Sequence, residues 1–239
     1  MEDRSGMDIL IKRENLQMPF KVECLVPCFK RPEYTQKCIS ALEESEYDNT
    51  LFHLWDDGSD DGTEEILRQS SLNKRVVVNE KNMGLRNVLI NFIELSSAEF
   101  ICVVGNDCLM PKNWMKDMLE VFGKSDADIL SPNVLPSNAA FKYGREVGLP
   151  YMPSEIVGGL WFMKRKLVEG LDFERYNMDG IRGAFEVLNQ IILEKSPVIG
   201  WVPSVTVEDI GHWSGNHPLH IKSDEHRNYS MAIGRKVNW

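Results

Sequence analysis

The chain has 239 residues, 43% of them hydrophobic and 26% charged, with a formal net charge of −9. That length permits one large α/β domain or two small ones with ample core, and the composition is that of an ordinary globular protein. The acidic balance excludes attraction of the whole molecule to a phosphate backbone and leaves only a local basic patch for such a role.

No apolar run approaches the roughly 18 residues of a membrane span. The first residues, "MEDRSGMDILIKRENLQ", lack the apolar centre of a signal peptide. The five cysteines are Cys24, Cys28, Cys38, Cys102 and Cys108, with no CxxC spacing. The expectation is reduced, buried thiols in a cytoplasmic protein.

In chain order, 1–20 reads as a polar peripheral segment. "KVECLVP" (21–27) is an apolar run ended by proline, a strand signal. Residues 31–45 carry Tyr34, Cys38, Ala41 and Leu42 at helical spacing. "TLFHLWDD" (50–57) is a second strand, and a helix starts within 61–71, where Asp61 and Glu64 have capping-box spacing. "RVVVNE" (75–80) is a third strand and 83–97 a helix. "AEFICVVGND" (98–107) is the most apolar strand and is expected at the centre of a sheet. A helix with proline in its first turn covers 111–124, and 127–135 is a fifth strand. Residues 137–155 read as a long loop, 156–170 as a strand running into a helix, 183–195 as a helix and 197–209 as a strand. The polar tail, 214–239, is a candidate lid.

Strands alternating with helices over the first half predict a doubly wound, mostly parallel sheet. Ligands bind such sheets at the carboxyl ends of the strands. The polar residues collect there: Pro27–Arg31 after the first strand, Asp56–Asp61 after the second, and Asn106–Asp107 after the fourth.

The aspartate loop, "WDDGSDDGTEEIL", admits several readings. Asp57, Ser59, Asp61 and Gly62 fit the opening of a helix–loop–helix calcium loop, but its twelfth position is Arg68 where a bidentate Glu is required. A turn and helix cap explain Asp61, but not two adjacent carboxylates ending an apolar strand. The first strand is followed by "PCFKRP", not by a dinucleotide-binding GxGxxG, and no P-loop is present. A phosphoryl-receiving regulator would carry its acidic pair after the first strand. Oxygen ligands such as Asp107 at a central strand end are what a divalent cation bridging a diphosphate requires.

Four stretches in register, "CLVPCFKRPEYTQKCISAL", "WDDGSDDGTEEIL", "VNEKNMGLRNVLINFI" and "FICVVGNDCLMPKNWMKDML", resemble the family 2 glycosyltransferases of the GT-A fold. The likeness is strong over 21–135 and weaker over 156–213. It implies an α/β, Rossmann-like GT-A domain. Residues 21–135 would form the nucleotide-sugar-binding half and 136–213 a smaller acceptor-binding half. It also implies inverting transfer of a sugar from a nucleoside diphosphate, expected to be UDP, to an acceptor hydroxyl, assisted by Mn²⁺ or Mg²⁺.

By matching position, Asp107 and His212 would hold the metal, with Asn106 standing where many members have an aspartate. Pro27, Phe29, Arg31, Asp57, Arg86 and Asn106 would bind the nucleotide-sugar, Asp57 and Arg86 reaching the base or the diphosphate. Glu186 or Asp179 would be the general base, and Trp161 would lie on the acceptor side. Glycans, lipid-linked sugars, small molecules and a modified DNA base all remain open as acceptors. The alternative is a catalytically silent nucleotide-sugar or glycan-binding module of the same fold, suggested by Asn106 and the lack of a Glu-Asp pair near Glu186.

Overall fold

The computed structural model describes residues 21–45, 47–155, 159–173 and 180–211, the side chains of 180–183 excepted. Its strands are β1 (Val22–Cys28), β2 (Thr50–Asp56), β3 (Lys74–Val78), β4 (Phe100–Val103), β5 (Cys108–Leu109), β6 (Ile129–Leu135), β7 (Met152–Pro153), β8 (Trp161–Lys164) and β9 (Ile199–Asp209). Its helices are α1 (Pro32–Glu43), α2 (Thr63–Gln69), α3 (Leu85–Leu95), α4 (Trp114–Gly123), α5 (Ala139–Tyr143) and α6 (Gly180–Lys195).

All the strands among the described residues join one sheet in the order β3-β2-β1-β4-β8-β6-β9-β5, with β7 on β9. The strands β3, β2, β1 and β4 are parallel. β8 runs antiparallel to both β4 and β6, which makes the sheet mixed. β4 is central, as its unbroken apolarity predicts. The strand order reverses between β1 and β4, and a crevice opens at such a reversal, beyond the carboxyl ends of the strands.

Period-two alternation sends β1 side chains to opposite faces. Cys24, Val26 and Cys28 pack with α1 and α4 on one face, while Leu25 packs with α3 and α6 on the other. Phe100, Phe122 and Phe162 stack tilted or edge-on at 5.0–5.8 Å between centroids. Truncating such a buried ring costs about 3–5 kcal/mol. All five cysteines are free and buried. Burial raises the thiols of Cys24, Cys28, Cys38 and Cys108, so these remain protonated and inert.

Several boundaries depart from the sequence expectation. The strand expected over 98–107 stops at Val103, because the chain turns at Gly105, whose carbonyl accepts from the Cys108 amide at 3.1 Å. The capping box at α2 does not form. Gly62 is the cap, Asp61 accepts from the Thr63 amide and hydroxyl, and Glu64 pairs with Arg68 one turn on. Helix α4 starts at Trp114, after Asn113 in the left-handed region (φ 62°), which asparagine tolerates. The expected loop 137–155 contains α5 and β7, and β8 leads into a short 3₁₀ turn, Arg165–Val168, rather than an α-helix. The 1–20 segment and the tail lie outside the described residues.

One buried pair crosses the β1–β2 ladder. Glu23 and His53, 3% and 0% exposed, meet at 2.6 Å. Burial by itself pushes the Glu23 carboxyl up. The His53 hydrogen bond and the amides of Ser97 and Ala98 outweigh it, and the net pKa lies below the ordinary value. A depressed folded-state value means stability that is present above the ordinary carboxylate range and lost as pH falls through the folded value. Glu23→Gln should therefore cost roughly 2 kcal/mol at pH 7. The gap between variant and wild type should narrow in urea titrations as pH falls below the ordinary carboxylate range.

Candidate active site

Two adjacent carboxylates end β2, and strand alternation sends them to different neighbours. Asp56 is fully buried and accepts the Ser59 amide at 2.9 Å through Oδ1. Its Oδ2 has no partner among the described residues, and burial pushes its carboxyl up. Asp57 is 4% exposed. Its Oδ1 accepts from Asn79 Nδ2 at 2.7 Å and from the Met83 amide at 2.8 Å, and its Oδ2 accepts from the Gly84 amide at 2.9 Å. Gly84 is the N-cap of α3. A carboxylate from β2 thus satisfies amides at the start of α3, where the helix dipole also favours a negative charge. A carboxylate has about four acceptor positions, and three are filled here, so one remains for a ligand donor. Gly58 lets the two loops meet: its φ is 78°, and a Cβ there would come within 2.7 Å of the Asn82 amide nitrogen.

The β1–α1 turn lies between the aspartate loop and the end of β4. Cys28 O accepts from the Asp57 amide at 2.8 Å, and the Lys30 amide donates to Ser59 Oγ at 2.8 Å. On the other side, Arg31 Nη1 donates to Asp107 Oδ2 at 3.2 Å. Lys30 and Arg31 are consecutive left-handed residues, φ 58° and 64°. Strain of this kind costs on the order of 1–3 kcal/mol per residue and gathers at functional sites. Pro32 then opens α1 with its φ already set. Phe29 is 39% exposed, and Pro27 is half-buried beside it.

At the end of β4, Asn106 Nδ2 donates to the Thr35 hydroxyl at 2.9 Å, tying this loop to α1. Asp107 is clasped by backbone. Its carbonyl accepts the Ile210 amide at 2.9 Å, and its carboxylate lies against Gly211. A Cβ on Gly211 would lie 2.8 Å from Asp107 Cγ and collide with Oδ2. Gly211→Ala should therefore displace this carboxylate. Should Asp107 carry the role that the family resemblance implies, transfer falls roughly tenfold or more, in line with a misplacement of about 1 Å, with little change in melting temperature. An initial-rate assay paired with a thermal melt checks it.

Asp57 and Asp107 do not touch. The β1–α1 turn is hydrogen-bonded to both of their loops, through Lys30 to Ser59 and through Arg31 to Asp107, and Asn106 is tied to Thr35 on α1.

Two of the expected residues are buried. Arg86 is buried, donating to the Phe173 carbonyl and at 3.2 Å to Asn87 Oδ1. It fastens α3 to the segment that ends at Phe173. Trp161, expected on the acceptor side, is 4% exposed and belongs to the core with Val103 and Met163. Glu186 is half-buried on α6, whose Ala184, Val187 and Leu188 face the core. Since β9 runs parallel to β6, α6 begins at the carboxyl edge of the sheet, with Glu186 about 9 Å along it. Asp179 and His212 lie outside the described residues, although the residue preceding His212 is Gly211, against Asp107.

Among the described residues no group of three or more His, Cys, Asp or Glu side chains is placed to hold a metal. The donors at the crevice are oxygen, from Asp107 and Asn106. That suits Mg²⁺ or Mn²⁺, which take one or two carboxylates and complete their shell with phosphate and water.

The mixed, mostly parallel α/β sheet carries an acidic residue just beyond its central strand. The chain belongs to glycosyl transferase family 2, whose sequence model matches residues 24–195. It is 27% identical over 122 residues to the glycosyltransferase AglE of Haloferax volcanii, spanning 49% of this chain and 40% of that protein. It is 25% identical over 115 residues to the glycosyltransferase GlyG of Streptococcus pneumoniae, spanning 47% and 38%. The matches span well under half the length of these curated relatives. The fold superposes on Staphylococcus aureus TarS 1–349 in complex with UDP-GlcNAc with a TM-score of 0.60, at 17% identity over 88% of this chain and 64% of that one. It also superposes on the mannosyltransferase PcManGT of Pyrobaculum calidifontis, in complex with GDP-Man and Mn²⁺, with a TM-score of 0.61, at 16% identity over 83% and 59%. The likeness makes this a GT-A fold.

Proposed function

We propose that this glycosyltransferase moves a sugar from a nucleoside diphosphate, with UDP the expected donor, to an acceptor hydroxyl with inversion and with a divalent metal. The observation that carries the reading is Asp107, beyond the carboxyl end of β4 and paired with Arg31, with the exposed Phe29 ring on the same turn as Arg31. TarS in complex with UDP and PcManGT in complex with GDP-Man and Mn²⁺ share the fold and lend support to a diphosphate donor.

Phe29 offers a flat apolar face to a nucleobase. Asp57 keeps one acceptor position for a base N–H. Asn106 and Asp107 supply the oxygens that would hold Mn²⁺ or Mg²⁺, with His212 as a further ligand. When bound, the ion acts as a Lewis acid on the departing diphosphate. The acceptor oxygen forms its bond to the anomeric carbon as the bond from that carbon to the diphosphate oxygen breaks. The acceptor proton passes to a carboxylate, Glu186 or Asp179. No described helix is long and apolar enough to cross a membrane, which fits either a dissolved acceptor or one approached at a membrane surface.

Thermal shifts with UDP, GDP and their sugars test the donor. At about 100-fold excess over its dissociation constant, the correct one stabilises by roughly 2.7 kcal/mol. Glu186→Gln should keep that shift and lose transfer. Unimpaired transfer would pass the role of base to Asp179. A non-catalytic binding module is a second reading, favoured by the pairing of Asp107 with Arg31. It predicts the same thermal shift with no release of nucleoside diphosphate.

A further inference from the structure

We propose that Arg31 is a charge-exchange residue: its guanidinium competes with a divalent cation for Asp107 and, once displaced, takes hold of the donor diphosphate. The inference rests on the donor reading above and assigns Arg31 a specific part in it.

The contact between the two groups is built to be given up. It is a single N–H···O contact of 3.2 Å, not the two-pronged fork an arginine makes with a carboxylate when the pair is structural. The side chains are 16% and 24% exposed, so the pair sits at the crevice mouth and not in the core. The second terminal nitrogen, Nη2, is buried with no hydrogen-bond partner among the described residues. A guanidinium nitrogen in that state loses hydration without compensation, and an anion with two oxygens would satisfy it. The guanidinium carbon lies 4.4 Å from the Tyr34 ring centroid. That ring is a platform on which the guanidinium can turn while keeping its cation–π contact.

The contact engages Oδ2, on the side of Asp107 that faces Gly211. A dication attracts a carboxylate more strongly than a guanidinium does at equal distance. Its arrival therefore frees one positive charge next to where the diphosphate is to be held. The left-handed backbone at Lys30 and Arg31 is the strained element that aims this side chain inward.

The test uses the full chain as wild type, Arg31→Ala and Arg31→Gln. Gln keeps bulk over Tyr34 and carries the result if the Ala variant does not fold. Mn²⁺ binding alone, followed by electron paramagnetic resonance, should tighten about threefold in the variants, the worth of a partly exposed pair. With Mn²⁺ saturating, binding of inorganic pyrophosphate should weaken roughly tenfold for loss of a charge-assisted contact. A merely structural arginine would weaken both. Mn²⁺ affinity unchanged or lower in Arg31→Gln, unchanged pyrophosphate affinity, or no Mn²⁺ binding by any form would overturn the proposal. Sugar transfer is not read in this experiment. Opposite shifts without any transfer in a separate assay would retain the exchange and remove the donor-sugar reading.

Discussion

Asp107→Asn is expected to reduce sugar transfer by at least roughly 100-fold, the scale on which removing one preorganised electrostatic contact to a departing group acts. The substitution keeps the size of the side chain against Gly211, so that close packing survives. It removes the negative charge that pairs with Arg31 and that the proposed divalent cation would use. The side chain is partly exposed and its ion pair is a single contact, so the stability change should stay below about 1 kcal/mol. A melting temperature near wild type with transfer lost would place the effect in the chemistry. A large drop in melting temperature would instead make Asp107 a structural residue, and full activity would remove it from the site.

Asp57→Ala is expected to act in the opposite proportion, on stability first. The carboxylate is buried and accepts the Asn79 amide group and the backbone N–H groups of Met83 and Gly84. Truncation leaves those donors without a partner at the start of α3. Hydrogen bonds to a charged group are each worth about 1.5–3 kcal/mol, and orphaned buried donors add to the loss. A total near 3–4 kcal/mol is reasonable once water partly rehydrates the gap. For a chain of this size that lowers the melting temperature by roughly 6–16 °C. Donor binding should weaken as well, because the same carboxylate holds the 79–84 loop beside the aspartate loop. Asp57→Asn keeps an acceptor oxygen and should recover part of the stability. Equal losses in the two variants would mean that cavity formation, not hydrogen bonding, sets the effect.

The two aspartates were both visible from their place at strand ends, yet the structure gives them different work. Asp57 looks exposed on paper, in a polar loop with three other aspartates. Its burial follows from Gly58, whose open conformation lets the 81–82 backbone close over the loop. Nothing local in the sequence announces that closure. The burial of Arg86 and Trp161 is illegible in the sequence for a related reason. Each sits at an element end expected near the crevice, but helical and strand periodicity say only which face is apolar. The partner across that face, Phe173 for Arg86 and Val103 for Trp161, belongs to a distant part of the chain. The short strands β5 and β7 have two residues each. Too short to show any period, they exist because β9 offers them an edge.

What sequence alone determined is the alternation of strands and helices, the central place of β4 and the gathering of acidic residues at strand ends. These are properties of local periodicity and of chain order, and short-range sterics enforce them. Tertiary structure decided which side chains meet: Arg31 with Asp107, Gly211 against the same carboxylate, and Asp57 with the start of α3. Such pairings join residues dozens to more than a hundred positions apart. They depend on the packing of the whole sheet, which no window of the sequence contains.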